Sequence, residues 1–221
     1  MTDLTIASVE SLPHVAGADL PPMLDPARTA LVIVDIQVDF AAPEGLIGSF
    51  GVDLAPAHAA IDRIEPMIAA ARKAGASIAF LRVVTRPDSD SRALKLLMER
   101  RGEAGGEAIC RAGSGGEDYW RLFPESGDIE IEKLLFDAFS GTDFDAQLKA
   151  RGIDTVVMTG ITTECCVDCT ARTAFHLGYN VFLASDACAA YEPALHAGTL
   201  DVLRKNIGLL TTSADVIAAW R

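Results

Sequence analysis

Positively charged residues are scarce in this sequence. Its 19 lysines and arginines are outnumbered by 31 aspartates and glutamates, so the formal net charge at pH 7 is −12. Because nucleic acids and most membrane surfaces are anionic, this charge argues against both as partners. Long apolar runs are also missing, since none reaches the roughly 18 residues of a membrane-spanning helix. The first residues lack the basic segment and apolar run of a signal peptide, so we expect a cytoplasmic protein.

Histidine and cysteine are scarce as well, with four and five copies. Reduced cytoplasmic thiols, and an odd number of cysteines, argue against a disulfide framework. Three of the five, Cys165, Cys166 and Cys169, lie within GITTECCVDCTAR, residues 160–172. This cluster lacks the second ligand pair of a structural zinc site, and we expect neither a metal nor a cofactor. Cys166 and Cys169 have the spacing of a redox pair, but the aromatic and proline neighbours of thioredoxin-like motifs are missing.

From residue 30 onward, short runs rich in β-branched residues alternate with longer amphipathic stretches. The short runs have the length of strands and cover residues 30–35, 76–83, 128–133, 154–160 and 180–186. The amphipathic stretches predict helices over residues 54–75, 91–101 and 142–152. Strands that alternate with helices are typical of a parallel sheet covered on both faces. The predicted fold is therefore a three-layer, Rossmann-like α/β fold with a central, mostly parallel sheet flanked by helices.

A chain of 221 residues fits a single domain of ordinary size. We predict an extended N-terminal arm over residues 1–25 and one domain over residues 26–221. Residues 86–127 are the irregular part, where glycine and charged residues follow the helix predicted at 91–101. Such a segment is a candidate lid or subunit contact, and equally a solvated insertion.

Three chemically capable side chains follow three different strands. Asp35 ends the first predicted strand, Lys133 ends the third, and the fourth leads through ITTE to Cys166. Ligands bind beyond the carboxyl ends of the strands in an open parallel sheet, so these residues are expected at one edge. Burial there would raise the pKa of Asp35 toward the range of a useful acid or base. Lys133 would balance the negative charge of a thiolate.

The helix after the fourth strand is expected to begin near Thr163, whose hydroxyl can cap its first N–H groups. Cys166 would then lie in the first turn, where the positive end of the helix dipole lowers the pKa of a thiol. Free N–H groups in the same turn can bind an oxyanion. Cys165 and Cys169 are expected to pack against neighbours instead of reacting.

A cysteine nucleophile also needs a base. His176 lies ten residues beyond Cys166 on the same predicted helix, about 15 Å along the axis, which is too far to take the thiol proton. His196 follows a later strand and stays a candidate. Asp35 is the better candidate, because it ends a buried strand at the predicted edge.

Three spaced motifs resemble the isochorismatase-like cysteine hydrolases, which include nicotinamidases and N-carbamoylsarcosine, biuret and ureidoacrylate amidohydrolases. The motifs are ALVIVDIQVDF, EKLLFDAF and GITTECCVDCTARTAFHLGY. The signature G-x-x-T-x-x-C-V is occupied by Gly160, Thr163, Cys166 and Val167. The resemblance extends over about residues 30–220, nearly the whole predicted domain.

This resemblance implies a catalytic set of Asp35, Lys133 and Cys166. It also implies a cis peptide between Ile161 and Thr162, and an oxyanion hole formed by the N–H groups of Thr162 and Cys166. The implied activity is hydrolysis of a C–N bond in a small amide, carbamoyl or ureido substrate through a cysteine thioester, with release of ammonia or an amine. An isochorismatase-type vinyl ether hydrolase and a catalytically idle binding or scaffold member are the alternatives. Members of the family commonly form homo-oligomers, so we expect one here.

The sequence departs from the family pattern at two places. Nicotinamidases carry a metal site with an Asp-x-His segment after the second strand, whereas LRVVTRPDSDS contains no histidine here. Asp137 stands before the Ala-Phe of the lysine motif, where serine is common. Arg82 and Arg86 are candidates for binding a substrate carboxylate, and Phe40 and Phe139 are candidates for lining the pocket.

Overall fold

A six-stranded parallel sheet forms the centre of the molecule in the computed structural model, which describes residues 8–221. The strands are β1 Thr29–Val34, β2 Ser77–Val83, β3 Ile129–Lys133, β4 Thr155–Ile161, β5 Asn180–Ala189 and β6 Leu209–Thr211. Their order across the sheet is β3-β2-β1-β4-β5-β6, and every neighbouring pair is parallel. The predicted α/β fold is confirmed, and each of the five predicted strands is present.

Helices cover both faces of this sheet. Within residues 8–221 they are α1 Val38–Ala41, α2 Leu46–Ser49, α3 Ala55–Ala74, α4 Arg92–Arg101, α5 Phe144–Ala150, α6 Asp168–His176, α7 Pro193–Asn206 and α8 Ser213–Ala219. Helices α3 and α8 pack on one face, and α5, α6 and α7 pack on the other. In the described part of the chain, no helix is both long and apolar enough to cross a membrane.

Strand β1 lies in the middle of the sheet and is buried along its whole length. Its side chains alternate between the two cores: Leu31 and Ile33 face α3, whereas Val32 and Val34 face the opposite helices. This alternation follows from the two-residue repeat of a strand, and burial on both faces explains the continuous apolar run. The chain that leaves β1 therefore enters the carboxyl edge near the centre of the sheet.

The predicted N-terminal arm falls partly outside the described residues, because residues 1–7 are not among them. Residues 8–25 carry three short 3-10 turns, at Val9–Ser11, Gly17–Asp19 and Pro21–Met23. Three leucines of this segment are buried against the domain: Leu12, Leu20 and Leu24. The described part of the arm thus contributes apolar side chains to the cores.

The irregular segment of residues 86–127 is tied to the carboxyl edge by two side chains that follow Asp35. The Gln37 amide nitrogen donates to the backbone oxygens of Val83 and Glu117, each at 2.8 Å. The Asp39 carboxylate accepts the N–H of Cys110 at 2.7 Å. These bonds hold the second half of the segment beside the ends of β1 and β2.

Candidate active site

Asp35 and Lys133 form a buried ion pair at the carboxyl edge. The Lys133 Nζ lies 2.7 Å from the Asp35 Oδ2, and it also donates to the Leu135 carbonyl at 2.9 Å. Both residues are only 1% exposed. Asp35 turns out of β1 with a φ of 52°, a left-handed conformation that aspartate tolerates better than most residues. The strand order places only β2 between the two strands that carry the pair.

Burial of the pair changes the pKa of each group. Burial raises the pKa of Asp35 above its ordinary value, and the Lys133 charge and the Cys166 thiol oppose that rise only in part. Burial lowers the pKa of Lys133, but Asp35 and Cys166 together more than reverse this effect, so that the pKa lies above its ordinary value. Lys133 therefore stays protonated, while the basicity of Asp35 is increased.

The two oxygens of the Asp35 carboxylate have different surroundings. Oδ2 accepts the hydrogen bond from Lys133. Oδ1 is buried, and no N–H or O–H group of residues 8–221 donates to it. One oxygen is thus fixed by the cation, and the other has a lone pair that can accept a proton.

Cys166 lies in a short π-helical turn, Thr163–Val167, that connects β4 to α6. The Thr162 carbonyl accepts the N–H groups of Cys165 at 3.1 Å and Val167 at 3.2 Å, and the second of these bonds gives the turn its wide π geometry. The peptide between Ile161 and Thr162 is cis, which confirms the expectation from the family resemblance.

Two expectations about this turn are wrong. Thr163 does not cap the helix, because it lies inside the turn and its hydroxyl is 2.8 Å from Nδ1 of His196. The pKa of the Cys166 thiol is raised, whereas we expected the helix start to lower it. A hydrogen bond to Cys165, burial and the Asp35 carboxylate all favour the protonated thiol, and Lys133 opposes them.

The raised pKa means that Cys166 keeps its proton until a base removes it. Its neighbour Cys165 is half-buried, and its pKa is lowered chiefly by the hydrogen bond from Cys166. The two sulfurs therefore titrate as a pair. Of the two, Cys166 is the one whose thiol lowers the pKa of Asp35. This relation points to Cys166 as the thiol that faces the carboxylate.

Cys110 and Tyr191 also lie near Asp35, although sequence reasoning did not identify them. Burial raises the pKa of Tyr191, and so do Glu164, Cys110, Cys166 and Asp35. Burial, Asp35 and Asp39 raise the pKa of Cys110. Tyr191 follows the end of β5, so the carboxyl-edge rule that identified Asp35 would have found it. Cys110 lies in an irregular segment, where no comparable signal exists.

Of the four residues considered for substrate binding, Phe40 is the one that contacts Tyr191. Its carbonyl accepts a hydrogen bond from the Tyr191 hydroxyl at 2.7 Å. The Phe139 ring packs instead against Phe144 and Tyr179, with ring centroids 4.8 Å and 6.0 Å away. Phe139 thus contributes to the core beside α5.

Arg82 and Arg86 are both engaged by one carboxylate, that of Glu132. Arg82 lies 2.6 Å from it and Arg86 lies 2.9 Å from it. Arg82 pairs with Glu132 across β2 and β3, whereas Val83 pairs with Lys133. Because successive side chains of a strand alternate between faces, Arg82 points to the face of the sheet opposite Lys133.

The Asp137 carboxylate makes only local hydrogen bonds: it accepts the N–H of Phe139 at 3.1 Å and the hydroxyl of Ser140.

In the segment after β2, where nicotinamidases carry metal ligands, both oxygens of Asp90 accept hydrogen bonds from Arg111 at 2.8 and 2.9 Å. Over residues 8–221, no group of three or more histidine, cysteine or acidic side chains is arranged to hold a metal ion.

Comparison with known proteins places these features in a family context. The model of the Isochorismatase domain matches residues 29–215. The chain is 35% identical over 208 residues to a ureidoacrylate amidohydrolase RutB of Variovorax paradoxus, covering 84% of this chain and 82% of the relative. It is 36% identical over 209 residues to the RutB of Azorhizobium caulinodans, covering 87% and 90%.

Solved structures of similar chains have the same fold. A cysteine hydrolase from Pseudomonas syringae pv. phaseolicola superimposes with a TM-score of 0.80 at 27% identity, covering 95% of this chain and 98% of the other. An N-carbamoylsarcosine amidase from Thermoplasma acidophilum gives 0.67 at 26% identity, covering 84% and 96%.

Proposed function

This chain belongs to the isochorismatase family, and we propose that it is a cysteine-dependent amidohydrolase. It cleaves a C–N bond in a small amide, carbamoyl or ureido compound. The observation that carries the proposal is the buried Asp35–Lys133 pair at 2.7 Å, beside a protonated cysteine in the turn that follows β4.

The first step is attack by sulfur. The Asp35 carboxylate takes the thiol proton of Cys166 while the sulfur adds to the substrate carbonyl carbon. A raised pKa makes Asp35 a stronger base than an exposed aspartate, which suits it to a thiol that keeps its proton. The carbonyl oxygen becomes an oxyanion, and the N–H groups of Thr162 and Cys166 are the proposed donors to it.

The second step releases the nitrogen. The tetrahedral intermediate collapses to a thioester, and the C–N bond breaks. Asp35 gives the proton that it took from the thiol to the departing nitrogen, which leaves as ammonia or an amine. Lys133 keeps its charge throughout, so Asp35 returns to its ionised and oriented state.

The third step restores the enzyme. Asp35 takes one proton from a water molecule as the water oxygen adds to the thioester carbonyl. The C–S bond then breaks, the second water proton stays with the acid product, and Asp35 returns its proton to the sulfur. One water molecule is consumed, and the thiol and carboxylate are regenerated.

The test compares Cys166→Ala with Cys165→Ala, which removes the adjacent thiol as a matched control. Ammonia release is measured with a panel of simple amides, carbamoyl amino acids and ureido compounds. We expect the parent and Cys165→Ala to hydrolyse at least one class, and Cys166→Ala to lose at least about 1000-fold in kcat.

The thioester is tested separately, by mass spectrometry of the enzyme quenched during turnover. A substrate-derived adduct is expected on Cys166. Full activity in Cys166→Ala would refute the proposal, as would cleavage of a vinyl ether in the absence of any C–N hydrolysis.

A further inference from the structure

The proposed reaction leaves one contact of the nucleophile turn unused. Thr163 is fully buried, and its hydroxyl is 2.8 Å from Nδ1 of His196, which lies on α7. We propose that His196 is a positioning residue, which holds Thr163 and through it the turn that carries Cys166. This inference rests on the proposed function, because it concerns the placement of the proposed nucleophile.

The protonation state of His196 suits this role. Burial lowers its pKa, and a hydrogen bond to the backbone of Ser185 opposes that effect only in part. The imidazole is therefore neutral near pH 7, with one N–H donor and one acceptor nitrogen. A hydroxyl can both donate and accept, so the neutral ring can pair with the Thr163 hydroxyl through Nδ1 in either tautomer.

The geometry of the π-helical turn explains why a contact from another helix affects the position of Cys166. Its N–H groups at Cys165 and Val167 share one acceptor, the Thr162 carbonyl. Turns with this wide geometry are uncommon and tend to occur at functional sites. Thr163 is the first residue of the turn, and Cys166 follows three residues later. A displacement of about 1 Å at a nucleophile can cost 100-fold in rate, so fixing the first residue affects the chemistry.

His196 lies in the wall of a cavity, and this position allows the proposal to be tested by chemical rescue. The imidazole lines a cavity of about 610 Å³, whose wall also includes His14, Ala60, Ser185 and Pro193. The catalytic trio of Asp35, Lys133 and Cys166 does not line this cavity. Free imidazole can therefore reach the place of a truncated His196 side chain without entering the proposed active site.

The experiment measures kcat, KM and the rate at which iodoacetamide alkylates Cys166, in His196→Ala with and without added imidazole. We expect kcat and the alkylation rate to fall about 5- to 100-fold, as for a buried hydroxyl that loses its partner, with little change in KM. Imidazole is expected to restore most of the loss. His196→Asn is expected to keep most activity, because the asparagine amide reaches the Nδ1 position.

The matched control is His176→Ala, at the exposed end of α6. Its kcat and alkylation rate are expected to equal those of the parent and not to change when imidazole is added. Parent-like kcat and alkylation in His196→Ala overturn the proposal. A folded His196→Ala whose loss neither imidazole nor asparagine restores overturns it too. If His196→Ala does not fold, Thr163→Val decides: slowed alkylation supports the proposal, and a parent-like rate overturns it. Alkylation needs no substrate, so this test stands even if no C–N hydrolysis is found.

Discussion

At the scale of single residues, one carboxylate has two tasks. Its Oδ2 is held by Lys133 at 2.7 Å, which fixes the orientation of Asp35 and compensates its charge. Its Oδ1 accepts no hydrogen bond within residues 8–221, and in the proposed reaction this oxygen exchanges a proton with Cys166 and with the leaving nitrogen. Both partners are buried, so removing either one leaves an uncompensated charge in a medium that solvates it poorly.

The pH dependence of activity follows from this arrangement. Asp35 must be ionised to take the thiol proton, so kcat/KM is expected to rise with pH through the pKa of Asp35. Burial raises that pKa, so the acid limb is expected above the ordinary aspartate value of about 3.9. In Lys133→Met the limb is expected to move to still higher pH, because the cation that lowers the pKa is gone.

Lys149→Met is the control, since Lys149 forms an exposed pair with Asp145 at 2.7 Å on α5. Its pH profile of kcat/KM is expected to match that of the parent. An acid limb that stays in place in Lys133→Met would contradict the assigned role of the Asp35–Lys133 pair.

At the scale of elements, the close approach of β1 and β4 brings the parts of the site together. Val34 pairs with Gly160 across these strands. Asp35 follows Val34 directly, and Thr162 follows Gly160 by two residues. Gly160 has a φ of 107°, and a Cβ atom added there would lie 2.2 Å from the Val34 carbonyl oxygen. Only glycine allows the two strands to stay at this separation.

Gly160→Ala is therefore expected to lower the free energy of unfolding by about 2–5 kcal/mol, from overpacking and an unfavourable φ together. The control is Gly178→Ala, where φ is 94° but the space around a Cβ is open. That variant is expected to lose only about 1–2 kcal/mol. Urea unfolding measures both, and equal losses would show that the contact with Val34 is unimportant.

At the scale of the whole molecule, the two ends of the described chain are joined. The Trp220 indole N–H donates to the Leu24 carbonyl at 3.0 Å, and the Trp220 side chain is buried. Val15 donates to the Leu210 carbonyl at 2.8 Å, next to the β6 edge of the sheet. The N-terminal segment is thus part of the packed domain. A homo-oligomer and a cytoplasmic location both stay predictions.

Trp220→Ala is expected to lower the free energy of unfolding by about 3–5 kcal/mol, because a large buried ring is lost. Trp220→Phe keeps a ring but not the donor, and about 1–3 kcal/mol is expected from the unpaired Leu24 carbonyl. The exposed neighbour provides the control, since Arg221→Ala is expected to stay within about 0.5 kcal/mol of the parent. Thermal or urea unfolding distinguishes these three, and a Trp220→Ala variant as stable as Arg221→Ala would contradict the joining role.

Local sequence patterns are sufficient to predict the alternating strands and helices, and the edge of the sheet where the chemistry is proposed. Five strands and the helix Arg92–Arg101 can be predicted from local periodicity. In these elements the apolar residues of the buried face recur at a regular spacing along the sequence. Asp35 and Lys133 follow from the same patterns, since the ends of parallel strands share one edge. Strand β6 was missed, because three residues carry no readable periodicity and depend on pairing with β5.

Contacts between side chains from distant parts of the chain cannot be predicted from local patterns. The partner of Thr163 lies 33 residues away, and Glu132 holds Arg82 through the register of two strands. The pKa of Cys166 is raised by its hydrogen bond to the adjacent Cys165, and also by burial and by the Asp35 carboxylate, which belongs to a different element. These outcomes depend on distances between remote parts of the chain. Local patterns set the direction of each side chain, whereas packing of the whole fold sets its neighbours.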